Sequence, residues 1–144
     1  MKTLQFNIET LMLTAGLAQI VLAIGSLVIP KILNWHGELI KVRPLIKQLF
    51  WTYAGYILGI NLSFGLLSVF DSRDLTNGSR IAMIITGFIA LYWISRIFIQ
   101  FFYFDRTDFP TGKWNKMGEI SLVALFICLS IVYTLTSYTN YNHI

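Results

Sequence analysis

A chain of 144 residues that is 56% hydrophobic and 12% charged falls far below the roughly 25% charged share of a soluble domain. So much apolar surface does not fit inside a water-facing globule of this size, and the excess must face lipid. The net charge of +4 accompanies no nucleic-acid-binding motif, so we expect no nucleic-acid partner and read the basic charge as meeting anionic headgroups.

The first apolar run covers 8–29, near the roughly 20 residues a helix needs to cross about 30 Å of hydrocarbon. Lys2 before it and Ala23-Ile24-Gly25 within it resemble a cleavable signal, but the run is long for one. We expect a retained transmembrane helix, with Ala15, Gly16, Ala18, Gly25 and Ser26 as small residues and Gln19 as a deep polar one. Residues 30–44 lie between Pro30 and Pro44 and mix Ile32, Leu33, Trp35, Leu39 and Ile40 with Lys31, His36, Glu38, Lys41 and Arg43. That mixture predicts a short interfacial element bounded by the two prolines. Trp35, His36 and Glu38 are its chemistry-bearing residues: His36 is either a solvated interface histidine or an acid, base or metal ligand. The second histidine, His143, stands in the far tail, so a bis-histidine haem is not available and zinc lacks ligands.

The second run, 45–70, carries Gly55, Gly59 and Ser63 at steps of four, a small-residue face for helix packing within the bundle or against a partner chain. Asn61 is its deep polar residue. Residues 71–79 read as a turn around Asn77-Gly78. The third run, 81–104, repeats the small spacing with Ala82, Thr86 and Ala90, and the fourth, 117–138, offers Ala124 and Cys128. Between them lies a loop with the turn Phe109-Pro110-Thr111-Gly112. The one cysteine allows no disulfide framework within the chain. None of the runs alternates with period two, which excludes barrel strands as the spanning element.

Ionisable residues inside a membrane are expensive and are functional hypotheses by default. Arg96 stands eight residues from the expected end at 104, roughly 12 Å at 1.5 Å per residue, near the midplane. Its candidate partner is Glu119, with Gln100 one turn away as a bridge; Tyr92, Arg96, Gln100 and Tyr103 follow steps of four, four and three along one stripe. This cluster is either a structural clasp or the lining of a pocket for an anionic headgroup, a quinone or a hydrophobic ligand.

Basic residues set the orientation. Lys31, Lys41, Arg43, Lys47, Arg106, Lys113 and Lys116 share one side, against Lys2, Arg73 and Arg80, partly balanced by Glu9, Asp71 and Asp74, on the other. Both termini are therefore expected outside the cytoplasm. Trp35, Trp51, Trp114, Phe101, Phe102, Tyr103 and Phe104 fall near the cytoplasmic boundary and Tyr133, Tyr138 and Tyr141 near the opposite one, as two aromatic belts.

The expected fold is all-α, a single polytopic domain over 1–144: an antiparallel bundle of four transmembrane helices with a short interfacial segment after the first. Gly-rich phosphate loops, nucleophile elbows and clustered metal ligands are missing from the sequence, so we expect no cofactor and no metal. The preferred function is a non-catalytic assembly or accessory subunit of a bacterial-type inner membrane, partnered by membrane lipid and by a second copy or a larger membrane complex. A ligand-binding protein or membrane enzyme built around Arg96 is the alternative. A small dimeric transporter is the third, although such a mechanism needs a carboxylate inside the first helix and Glu9 stands at its end.

Overall fold

The computed structural model describes residues 2–103 and 112–144, with side chains from Asn7 onward. It is all-helical, with no strand among the described residues, and four of its helices are long and apolar enough to cross a membrane. These are α1 (Lys2–Gly25), α4 (Pro44–Phe70), α6 (Arg80–Phe98) and α7 (Lys113–Asn142); short helices α2 (Ile29–Ile32), α3 (Trp35–Leu39) and α5 (Ser72–Leu75) sit in the connections. Phe104, Arg106 and most of the turn expected at Phe109-Pro110-Thr111-Gly112 lie outside the described residues.

Local chemistry sets the ends. Pro30 has no N–H to give to the carbonyl four residues back, and its ring crowds that carbonyl. The residue in question is Ser26, and the helix tightens there into a 3-10 turn over Ser26–Val28 in which the Ile29 N–H bonds Ser26 instead. Pro30 then opens α2 in its first turn. The chain thus runs helically past the expected stop at 29, and the break falls at Asn34, whose φ of 52° lies in the left-handed region that asparagine tolerates. Arg43 is extended (φ −59°, ψ 147°) as a residue before proline must be, and Pro44 starts α4. Ser79 caps α6 by accepting the Ala82 N–H at 3.1 Å. Beyond Phe98 the helix widens into a π turn, Ile99–Tyr103.

Two glycines fix the contact of α1 with α4. A Cβ on Gly16 would lie 2.8 Å from the Gly65 carbonyl oxygen, and one on Gly65 would lie 3.0 Å from that of Gly16, so the backbones touch where only glycine fits. The expected stripe behaves otherwise: a Cβ on Gly55 or Gly59 would meet nothing within 4 Å, and Ser63 is exposed. Ala124 and Cys128 of α7 are exposed as well. That helix instead packs through Phe126, Leu129, Tyr133 and Asn140, with Trp93 of α6 stacked on Phe126 at 5.4 Å. In α6 the expected small residues Ala82, Thr86 and Ala90 are indeed buried. Between α4 and α6, Phe64 meets Tyr92 edge-on at 5.3 Å.

We predict that Gly65→Val lowers stability in detergent by about 1–3 kcal/mol through overpacking, whereas Gly59→Val leaves the unfolding midpoint of the isolated monomer unchanged. Thermal or denaturant unfolding followed by circular dichroism reads both.

Candidate functional site

Four polar side chains, one from each long helix, meet in the centre of the molecule. Gln19 of α1, Ser68 of α4, Trp93 of α6 and Tyr133 of α7 are all buried, Gln19, Ser68 and Tyr133 to 0% exposure. The Gln19 amide nitrogen donates to the Tyr133 hydroxyl, and that hydroxyl shares a second hydrogen bond with Ser68 Oγ. The Trp93 indole N–H donates to Gln19 Oε1 at 3.3 Å. A phenol both donates and accepts, and an amide offers two donors and an acceptor, so these types suit a junction of several helices. No buried side-chain polar atom among the described residues lacks a partner, as an interior without water demands.

Sequence reasoning picked out Gln19 by its depth but assigned Tyr133 to the outer aromatic belt. The signal for it lies in the spacing: with Phe126, Leu129, Ser130, Thr136 and Asn140 it keeps helical steps of three and four on one face of α7. Asn61, the other deep polar residue, accepts from the Tyr92 hydroxyl at 2.7 Å and so joins α4 to α6.

Around Arg96 the arrangement differs from the expected clasp. Among the described residues, ion pairs join Arg73 to Glu9 at 3.2 Å and Lys41 to Glu38 at 3.7 Å, and Arg96 is not paired with Glu119. Its guanidinium lies over the Phe126 ring, 5.5 Å from the centroid. The reason is level: α6 meets α7 at Phe126, seven residues beyond Glu119, which is about 10 Å along the axis. Arg96 also lies about 7 Å past the centre of the span Arg80–Tyr103 and about 10 Å short of its end. Gln100 falls in the π turn, where five residues per hydrogen-bonded loop shift the register. Tyr92 and Arg96 keep a common helical step, while Gln100 and Tyr103 are carried off it.

At the opposite end from the α5 turn, α3 packs its aromatic residues onto the start of α4. Trp35 meets Phe50 at 4.8 Å and Trp51 at 5.8 Å, and the His36 ring lies 5.1 Å from Trp51. Glu38 is occupied with Lys41 one turn on. The segment expected to be interfacial is therefore a short helix fastened by aromatic edges, with the His36 ring tilted against Trp51. No group of three or more His, Cys, Asp or Glu among the described residues is placed to hold a metal ion.

The α5 end is pinned by Asn140, which donates to the Leu75 carbonyl at 2.8 Å and accepts the Gly78 N–H at 3.0 Å. Ser137 Oγ donates to the Met83 carbonyl at 3.0 Å. These bonds set the relative levels of α6 and α7.

Two measurements check this geometry. Gln19→Leu and Tyr133→Phe should each destabilise by about 0.6–1.7 kcal/mol, and a double-mutant cycle should show them strongly coupled. Arg96→Gln and Glu119→Gln should be additive to within about 0.5 kcal/mol; rescue by the double charge reversal Arg96→Glu with Glu119→Arg would restore the clasp.

Comparison of the chain with protein-family models, with curated proteins and with solved structures finds no match.

Proposed function

We propose that the protein is a non-catalytic integral membrane subunit, an antiparallel bundle of four spans with its basic connections at the cytoplasmic leaflet, and that it works by assembling with a second copy or a larger membrane complex. The observation that carries this reading is the two-sidedness of α4. Its Gly65 and Ser68 are buried, Gly65 against α1, while Gly55 and Gly59 have open space where a Cβ would stand. Gly59 and Ser68 are nine residues apart, two and a half turns at 3.6 residues per turn, hence on opposite sides of the helix.

Between lipid-facing helices there is no hydrophobic drive to associate, and close backbone approach at small residues supplies the contact. The outward face is also chemically quiet. Thr52 Oγ1 donates to the Gln48 carbonyl at 2.8 Å and Ser63 Oγ to the Gly59 carbonyl at 2.7 Å, so these two hydroxyls are spent within the helix. The seven-to-three division of Lys and Arg supports placing both termini outside the cytoplasm. An inner membrane of bacterial type suits the same charge rule.

Arg96 supports a second reading. Its guanidinium rests on Phe126 beside Tyr92 and, among the described residues, is in no ion pair, which suits an anionic headgroup, a quinone or a hydrophobic ligand at that level. The transporter alternative gains no support from Glu9, whose carboxylate takes the Arg73 guanidinium at 3.2 Å.

The expected outcome for assembly is a particle larger than one chain in mild detergent, measured by light scattering, that Gly59→Leu dissociates and Gly118→Leu does not. Gly118 has equally open surroundings on α7 and controls for bulk alone. A monomer in detergent and in native membrane extracts would remove the assembly reading.

A further inference from the structure

We propose that the groove between α6 and α7 on the α5 side of the molecule holds one phospholipid of the extracytoplasmic leaflet, with its acyl chain in the groove and its phosphate at Arg80. The proposal goes beyond the assembly reading above and rests only on its four helices spanning a bilayer. The groove has a volume of about 410 Å³ and is lined by Met83, Gly87, Leu91 and Ile94 from α6 and by Tyr138 and Tyr141 from α7, among others.

Its length argues for an acyl chain. Met83 to Ile94 is eleven residues, about 16 Å of helix, which matches half of the roughly 30 Å hydrocarbon layer. Gly87 lets α7 approach α6 closely at the floor of the groove, since a Cβ there would stand 3.1 Å from Ser137 Oγ. The Ser137 hydroxyl is spent on the Met83 carbonyl, so this part of the floor offers hydrocarbon no unpaired donor.

The mouth argues for a phosphate. Arg80 precedes Met83 by three residues and Gly87 by seven, which puts it on the groove's face of α6. Side chains lean toward a helix's N-terminus, here outward to headgroup level. Arg80 is exposed, and no ion pair among the described residues includes it. Tyr141, 64% exposed, lies one turn beyond Ser137, close to the same level, since Asn140 bonds Gly78. A guanidinium and an amphipathic phenol at the same level, at the end of an apolar half-bilayer groove, complement a phosphodiester with its acyl chain below.

The test is native mass spectrometry of the full chain purified from membranes in mild detergent. The wild type should carry one phospholipid. Arg80→Gln should lower its retention about tenfold, the loss of one charge-assisted contact, and Leu91→Trp should fill the groove and displace the lipid. Ile57→Trp, on the exposed surface of α4, should change nothing. A lipid-free wild type, or equal loss in Ile57→Trp, would overturn the proposal, as would a groove occupied by a second chain that Leu91→Trp releases. Arg80→Gln alone decides it should the tryptophan variant fail to fold. Alkali washing of membranes separates the two levels of failure: a chain washed out refutes the spanning helices, whereas a chain retained but lipid-free refutes the groove alone.

Discussion

The Tyr133 hydroxyl is the point on which the arrangement of the four long helices turns. It lies fully buried, takes a hydrogen bond from Gln19 and shares another with Ser68, so one atom ties α7 to α1 and α4, and Trp93 brings in α6 through the same amide. In a hydrocarbon solvent, burying leucine gains little over leaving it in lipid, and polar bonds and close packing decide which faces meet. A bond of this kind is also directional. Sliding or rotating one helix would leave an amide or a phenol without a partner, at a cost of several kcal/mol in an apolar surrounding.

The rest of the packing follows from that register. With Gln19 at the level of Ser68, Gly16 falls against Gly65 and Ser68, where the absent side chains allow backbone contact. With Trp93 beside Gln19, its ring reaches Phe126 and stacks there, which sets Arg96 over the same phenylalanine and out of register with Glu119. Asn140 and Ser137 hold α7 level with Leu75, Gly78 and Met83. The groove between α6 and α7 runs along the same alignment, with Gly87 and Ser137 both in its lining.

Small residues in such a chain have two uses, and α4 contains both. Gly65 is spent inside the molecule; Gly55 and Gly59 are not. On the proposed reading, that outward small face is where a second chain approaches. The segment between the first two long helices joins several constraints. Pro30 forces the local tightening at Ser26–Val28, Asn34 turns the chain through the left-handed region, and the aromatic edges of Trp35, Phe50 and Trp51 hold the result.

The sequence by itself determined the helical class, the count of four long apolar segments and, to within one residue, the starts of the second and third, because length, hydropathy and proline chemistry act within a single segment. It also marked Gln19 and Asn61 as residues needing partners and located the short element after the first long helix. What only the tertiary structure decided was which of several equivalent small or polar faces meets which. Gly55-Gly59-Ser63 and Gly65-Ser68 look alike in one dimension, and Tyr133 is as plausible at an interface as in a core. Arg96 and Glu119 seemed a pair because opposite charges attract, yet their separation depends on the axial level at which α6 crosses α7. That level is fixed by Trp93 and Phe126 and by the hydrogen bonds of Tyr133, contacts between residues far apart in the chain that no local pattern encodes.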